Sequence, residues 1–169
     1  MSAKLDVVPQ SSIIDRKSAD ELDSPVLRAG VAYWRTIRGD RPFPRREDLR
    51  PRDIQGLLPY MALLKVIGGG EDFEHRIVGD ILVQAFAVPM QNRRFSEIEI
   101  EAPELMASCY PLFREVVNTR APVAWRHKTG HDNTDFVFVD SEVVLLPLGT
   151  TVVDHVLVFE VHWSRIKPA

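Results

Sequence analysis

The sequence lacks the features that mark several large classes of protein. Cys109 is the only cysteine among 169 residues, so the chain can form neither an internal disulfide nor a cysteine-based zinc cluster. The 21 basic and 24 acidic residues give a net charge of -3, which provides no strong field for holding nucleic acid. No apolar run is long enough to cross a bilayer, and residues 1–10 have no secretion-signal pattern. We therefore expect a cytoplasmic protein that binds neither nucleic acid nor membranes.

Signatures of catalysis are also scarce. Ser108 and Ser141 do not lie in the glycine-flanked pattern of a nucleophilic serine. The glycine run 68–70 is not followed by the lysine of a phosphate-binding loop. Asp140 or Glu142 could be paired with His155 for acid–base chemistry, but we interpret residues 140–142 as a solvent-facing or bulged part of a strand. The sequence therefore predicts a protein that is not an enzyme.

The domain organisation is simple. Residues 1–23 are polar and charged, with little periodicity beyond Val7-Val8 and Ile13-Ile14, and we interpret them as an N-terminal tail. Residues 24–169 are predicted to form a single domain that begins with a helix over 24–38. Ser24 is a suitable cap, Pro25 suits the first helical position, and Gly39 ends the apolar helical pattern. This helix either packs on its own sheet or offers a surface to a second copy or a partner.

A proline-rich segment follows the helix. Prolines between residues 41 and 51 prevent regular backbone hydrogen bonding and favour an extended path over the surface. Arg41, Arg45 and Arg46 give this segment a basic character that could contact an anion or an acidic partner. Neighbouring carboxylates dilute that charge, so a solvated loop with internal salt bridges is the competing interpretation.

Strand patterns dominate the rest of the chain. The sequence predicts strands over 57–67 and 73–78, separated by a short glycine turn. Short helices are expected between residues 79 and 100, and a longer helix from Pro103 to Arg120, bent at Pro111. A strand over 122–129 precedes two apolar runs, 136–148 and 152–163, joined by a three-residue turn. This order is typical of an α+β fold with one antiparallel sheet.

Several residue groups fall in the order found in one known family. They are Trp34 with Ile37-Arg38-Gly39, Arg41-Pro-Phe-Pro-Arg45, Pro51, Leu58-Pro59, Phe73 with Arg76-Ile-Val-Gly79, and Glu142-Val-Val-Leu-Leu-Pro-Leu-Gly149. In these groups the chain resembles a PAS-like domain family that is widespread in alphaproteobacteria. The resemblance extends from about Val26 to Trp163. It implies a five-stranded antiparallel sheet with helices on one face, here preceded by an N-terminal helix, and a role in regulation rather than catalysis.

Two positions depart from the family pattern. Asp80 stands where the family tends to have threonine, and Ala87 stands where a glycine is usual. Both lie in the helical segment that usually forms a wall of a PAS pocket. The resemblance therefore implies the fold and a regulatory role but does not identify a ligand.

Side chains on alternate positions of the predicted strands define a candidate ligand site. If the chosen alternation faces inward, six residues line one cavity: His75, Trp125, His127, His155, Leu157 and Phe159. A largely apolar cavity with a few polar groups is typical of small-molecule sites. The competing interpretation is that the histidines are hydrogen-bonded near strand ends or face solvent. Histidines scattered over separate strands are a weak metal signal, and we predict no metal site.

The cofactor cannot be named from the sequence. Haem-binding relatives usually supply an axial histidine from the helical segment, and residues 79–120 contain no histidine. In a faint match to the flavin-binding light-sensor motif, Arg93 stands where the reactive cysteine would be. Haem and photoactive flavin are therefore disfavoured, and the cofactor is left unknown.

The sequence leaves three functions open. The first is a regulatory, sensory PAS-type module that binds a small ligand, a signalling protein, or both. Because only six residues follow Trp163, we expect it to act on a separate protein, by homodimerisation or docking. The second is a small isomerase or dehydratase with a cone-shaped α+β fold and a His–Asp pair in an apolar pocket. The third is an interaction protein without a ligand.

Overall fold

The computed structural model describes residues 13–128 and 140–163. The helices are α1 (Pro25–Arg38), α2 (Asp80–Ala85), α3 (Phe95–Ile98) and α4 (Pro103–Thr119). The strands are β1 (Ile13–Lys17), β2 (Met61–Ile67), β3 (Asp72–Val78), β4 (Val123–Lys128), β5 (Asp140–Gly149) and β6 (Val153–Trp163). Two 3₁₀ segments, Arg46–Asp48 and Pro51–Tyr60, connect α1 to β2.

All the strands lie in one antiparallel sheet with the order β1-β4-β5-β6-β2-β3. The predicted α+β class and single sheet are confirmed, and the predicted five strands correspond to β2–β6. The sixth strand, β1, comes from residues interpreted as part of a polar tail. It pairs with β4, with Ile14 opposite His127. The tail interpretation is therefore wrong for residues 13–17, because backbone pairing does not require an apolar sequence pattern.

Helix α1 covers one face of the sheet. The Ser24 hydroxyl accepts a hydrogen bond from the Leu27 backbone N–H, and Pro25 occupies the first turn, as predicted. The buried side of the helix includes Trp34, whose indole Nε1 donates to the Pro147 carbonyl at 2.9 Å. A Cβ on Gly30 would lie 2.5 Å from the ring of Phe159, so glycine permits this close helix–strand approach. The apolar side of α1 thus packs on its own sheet.

Helices α2, α3 and α4 cover the opposite face. The sheet therefore separates two apolar cores, one beneath α1 and one beneath α2–α4. Consecutive residues of β5 and β6 contribute to different cores: Leu145 and Val158 to one, and Leu146 and Phe159 to the other. Burial on both faces explains why these strands are continuous apolar runs rather than alternating ones.

Strand β2 starts later than the sequence predicts. Residues 57–60 belong to the 3₁₀ segment, and pairing begins at Met61. Pro59 has no backbone N–H to donate to a ladder, which accounts for the delay. Gly79 lies against this segment, and a Cβ there would be 2.4 Å from the carbonyl oxygens of Leu58 and Pro59. A glycine is therefore needed where α2 begins.

The outer edge of β3 is covered by a loop. The backbone N–H of His75 donates to the Arg93 carbonyl, and the backbone N–H of Asn92 donates to the His75 carbonyl, each at 3.0 Å. The Gln91 side chain completes the edge. Its amide NH₂ donates to the Arg76 carbonyl at 2.8 Å, and its oxygen accepts from the Val78 N–H at 3.0 Å. The outer backbone groups of β3 at His75, Arg76 and Val78 are thus paired.

Glu142 is a buried carboxylate that links three elements. It is fully buried beneath the start of α1, and it accepts hydrogen bonds from the backbone N–H groups of Asp23 and Ser24 at 2.9 and 2.8 Å. The ammonium group of Lys17 on β1 lies 3.3 Å away. The interpretation of residues 140–142 as solvent-facing or bulged is therefore wrong, because Ser141 is buried as well.

The structure also excludes acid–base pairing of Asp140 or Glu142 with His155 across the hairpin. Asp140 and Glu142 are opposite Trp163 and Val161, at the far end of the hairpin from its turn. His155 is opposite Leu148, close to the turn. The length of the paired strands keeps these carboxylates away from that imidazole.

Candidate ligand cavity

A cavity of about 60 Å³, partly open to solvent, lies between the sheet and α2–α4. Its walls come from strands β2–β6 and from the helical segment between Leu82 and Phe113. The lining residues are Ala62, Leu64, His75, Val78, Leu82, Phe86, Met90, Phe95, Leu105, Met106, Cys109, Phe113, Trp125, Val143, Val158 and Glu160. A predominantly apolar lining with a few polar groups is typical of small-molecule sites.

Phe95 is at the centre of the aromatic wall. Its ring centroid lies 5.2 Å from that of Phe73, 5.0 Å from that of Phe113 and 5.3 Å from that of Tyr110. The ring of His75 lies 5.6 Å away on the other side. These tilted and edge-to-face arrangements are favourable for aromatic rings and hold short helix α3 against β3 and α4.

One end of the cavity is polar. Glu160 on β6 lines the cavity, and its carboxylate accepts a hydrogen bond from His162 Nε2 at 2.7 Å. The two side chains are 12% and 7% exposed, so the pair is largely shielded from water. Burial, together with the negative charge of Glu160, raises the pKa of Cys109 to about 12. The thiol of Cys109 is therefore protonated at neutral pH and is not a nucleophile.

His127 lies beyond this polar end, on the same face of the sheet. It is opposite Ser141 on β5, and Ser141 is opposite His162 on β6, so the three residues form a row across the strands. His127 is buried, and burial lowers its pKa against the opposing effect of the Glu160 and Asp140 charges. The row meets the polar end of the cavity at His162, which is hydrogen-bonded to Glu160. Its three residues are not themselves among the residues that line the cavity.

His75 is a neutral hydrogen-bonding group in the cavity wall. Burial lowers its pKa to about 4, with its hydrogen bond to the Arg93 carbonyl acting in the opposite direction. Nδ1 lies 3.2 Å from that carbonyl oxygen, which can only accept, so Nδ1 carries the proton. In a neutral imidazole the other nitrogen, Nε2, is then an acceptor.

This buried imidazole predicts a loss of stability in acid. The unfolded chain binds a proton at His75 near pH 6.5 and the folded chain only near pH 4, so stability falls as the pH falls between these values. Between pH 7 and pH 4 we expect His75 to account for a loss of about 3 kcal/mol in the free energy of unfolding. Urea unfolding of the wild-type protein and of His75→Gln at several pH values measures this contribution. If both proteins lose the same free energy of unfolding as the pH falls, the prediction is wrong.

The structure divides the six residues predicted to share one cavity. His75 and Trp125 line the cavity, and His127 lies on the same face. Leu157 and Phe159 belong to the opposite core, beneath α1. For these two residues the predicted placement is wrong, because β6 is apolar on both faces and alternation alone does not identify the inner one.

His155 is also outside the cavity lining. It lies near the turn end of β6, opposite Lys65 of β2, and its Nδ1 is 2.8 Å from a carboxylate oxygen of Asp154. That contact corresponds to the competing interpretation, in which a histidine is hydrogen-bonded near a strand end. The cavity-facing residues of β6 are instead Val158 and Glu160.

The three arginines of the proline-rich segment have different environments. The Arg41 guanidinium donates to the carbonyls of Arg38 and Ile37 and forms an ion pair with Asp48 at 2.8 Å. Arg45 is exposed and Arg46 is half-buried. Arg41 is thus bound within the chain, and contact with an outside anion stays a prediction for Arg45 and Arg46.

Sequence reasoning missed Glu160 and His162. Both lie on cavity-side positions of β6, within a strand whose other residues are mostly apolar. A charged residue within a buried apolar run is informative, since such residues are rarely buried without a partner. That signal could have indicated the inner face of β6.

The comparisons with known proteins identify the family. A family model described as a PAS domain matches residues 22–160, which include α1, the cavity and most of the sheet. The chain belongs to the PAS domain family. PAS domains are generally sensory or regulatory modules rather than catalytic ones. No curated protein and no solved structure gives a significant match to this PAS domain.

The PAS cavity in this conformation is smaller than a typical site for a drug-sized ligand. Sites for drug-sized ligands have volumes of about 300–1,000 Å³, well above the 60 Å³ found here.

Among residues 13–128 and 140–163, no cluster of three or more His, Cys, Asp or Glu side chains could hold a metal ion. Over the same residues, no helix has the length and apolar character required to span a membrane.

Proposed function

We propose that this chain is a sensory PAS module that binds a small, largely apolar ligand in the cavity between the sheet and α2–α4. The observation that carries the proposal is an apolar, partly open cavity with two polar positions, His75 on β3 and Glu160 on β6. A site of this composition binds by excluding water from apolar surface and selects by a few directed hydrogen bonds.

The sheet offers a direct route from the cavity to α1. On β6, Val158 faces the cavity, while its neighbours Leu157 and Phe159 pack beneath α1. A ligand that displaces Val158 also shifts the backbone that carries Phe159, which touches Gly30 of α1. We propose that ligand binding repositions α1 and thereby alters a homodimer or the docking of a separate signalling protein in the cytoplasm.

The isomerase or dehydratase alternative has less support. It requires an acidic partner for His75, His127 or His155 inside a cavity. His75 is bonded to a backbone carbonyl, and the His155–Asp154 pair is not part of the cavity lining. The geometry therefore supports ligand binding better than acid–base catalysis by His75 or His155.

Filling the cavity is expected to abolish ligand binding. Cys109 lies on the cavity side of α4, so Cys109→Phe places a ring in the space that a ligand would use. With 3-methylbutan-1-ol as a small neutral probe, we expect NMR shifts at Trp125 and Met106 in the wild-type protein and none in the variant. The measured affinity of Cys109→Phe for the probe should be at least about tenfold lower than that of the wild-type protein, a loss of about 1.4 kcal/mol of binding free energy.

The matched control for this experiment is Ala107→Phe. Ala107 is exposed on the same helix, so the added ring leaves the cavity unchanged. We expect this variant to bind the probe as the wild-type protein does. If Cys109→Phe binds the probe as well as the wild-type protein does, the cavity is not the ligand site.

A further inference from the structure

The charge of the cavity wall restricts the chemistry of the ligand. Of the lining residues in the described part of the chain, Glu160 carries a carboxylate, and none is lysine or arginine. His162 holds Glu160 by one hydrogen bond to Oε1. A ligand with a carboxylate or phosphate would bring its charge next to Glu160 without a cation to offset it, which is unfavourable at low dielectric.

The other polar group of the wall also accepts hydrogen bonds. The proton of His75 is on Nδ1, bound to the Arg93 carbonyl, so Nε2 is left as an acceptor. His75 on β3 is level with Val156, whereas Glu160 lies further along β6, so a ligand group that donates hydrogen bonds meets one acceptor or the other. An ammonium group donates three and is positively charged.

The remaining walls suit a cation attached to an apolar body. Phe86, Phe95, Phe113 and Trp125 line the cavity, and the faces of aromatic rings attract cations. The small enclosed volume admits only a compact group, while the opening leaves room for the rest of a short chain. Leucine, methionine and valine side chains complete the apolar surface.

We infer that the ligand of this PAS module is a small organic amine, bound as its ammonium ion by Glu160 with its alkyl or aromatic part among the cavity side chains. This inference rests on the proposed function, since it names the chemical class of ligand for the same cavity.

Three probes with one carbon skeleton test the inference. They are 3-methylbutylamine, 3-methylbutan-1-ol and 3-methylbutanoate, which present an ammonium, a hydroxyl and a carboxylate group. At neutral pH we expect the amine to bind the full-length protein about tenfold or more tightly than the alcohol, and the carboxylate to bind most weakly. NMR titration at the Trp125 indole and the methyl groups of Met90 and Met106 measures all three affinities.

The variant that removes the charge alone is Glu160→Gln. Its amide oxygen can still accept the hydrogen bond from His162, which favours an unchanged fold. We expect the preference for the amine over the alcohol to fall to about twofold or less in this variant. Glu104→Gln, an exposed position on α4, is the control and should keep the wild-type preference.

The outcomes separate the two proposals. If the alcohol binds but the amine binds no more tightly, or if the carboxylate binds best, the amine inference is wrong and the cavity remains the ligand site. If Glu160→Gln keeps the full preference for the amine, Glu160 is not the recognising group and the inference is also wrong. If none of the three probes binds the wild-type protein, the proposed function itself fails.

Discussion

Replacing Glu142 with alanine is expected to lower the free energy of unfolding by about 3–5 kcal/mol. The substitution leaves two buried backbone N–H groups, those of Asp23 and Ser24, without their acceptor. It also removes the partial neutralisation of Lys17, which lies 3.3 Å from the carboxylate. Urea unfolding measures the total loss. Hydrogen exchange at the amides of Asp23 and Ser24 shows whether the loss arises at the start of α1, where faster exchange is expected.

Glu115→Ala is a suitable control for this prediction. Glu115 on α4 forms an ion pair with Arg16 of β1, but both side chains are more than one-third exposed. Exposed pairs contribute little because water and salt screen them. We therefore expect a much smaller loss of stability, and no change in exchange at residues 23 and 24. Equal losses in the two variants would show that Glu142 acts only as a surface charge.

Replacing Phe95 with alanine is expected to cost about 3–5 kcal/mol of stability. The ring is 1% exposed and packs against Phe73, Phe113 and Tyr110. Its removal loses buried apolar surface and leaves an enlarged space that the rigid sheet cannot close. Thermal or urea unfolding measures the loss, and Phe95→Leu should lose clearly less because it fills most of the volume.

The same variant provides a second measurement. An enlarged cavity lined by phenylalanine, leucine and methionine can take up benzene, as apolar cavities of this kind do. We expect benzene to raise the melting temperature of Phe95→Ala more than that of the wild-type protein. An equal response would indicate that the neighbouring helices collapse into the space, and a loss of stability below about 1 kcal/mol would contradict the central role of this ring.

Local signals in the sequence predicted individual elements well. Ser24, Pro25 and Gly39 define α1 because capping and chain termination depend on neighbouring residues. The start of β2 was predicted too early. Pro59 lies within a 3₁₀ segment that packs against Gly79, and that contact joins residues distant in sequence. Residues 136–139 of the predicted β5 run lie outside the described residues.

Long-range contacts explain what the sequence did not reveal. Glu142 appeared to be a polar interruption of a strand, and only the fold places it against backbone N–H groups about 120 positions earlier in the chain. β1 was missed for a similar reason. It has only two apolar residues, Ile13 and Ile14, and its pairing with β4 depends on a strand that follows it by more than 100 residues.

The candidate site was predicted in part. His75 and Trp125 line the cavity because the alternation along β3 and β4 places them on the side of the sheet covered by α2–α4. On β6 both faces are apolar, so Leu157 and Phe159 were assigned to the wrong side. Placing Glu160 required the register between β5 and β6, in which Glu160 pairs with Val143, another cavity residue.

The loop that covers β3 also limits how copies of this protein can associate. An unpaired strand edge is a template on which a second chain can add, and proteins that expose one are prone to aggregate. Here the side-chain amide of Gln91 occupies the positions at Arg76 and Val78 that an incoming strand would use. Growth of a continuous intermolecular sheet from this part of β3 is thereby blocked, so a second copy that associates here must do so through side chains rather than by adding a strand.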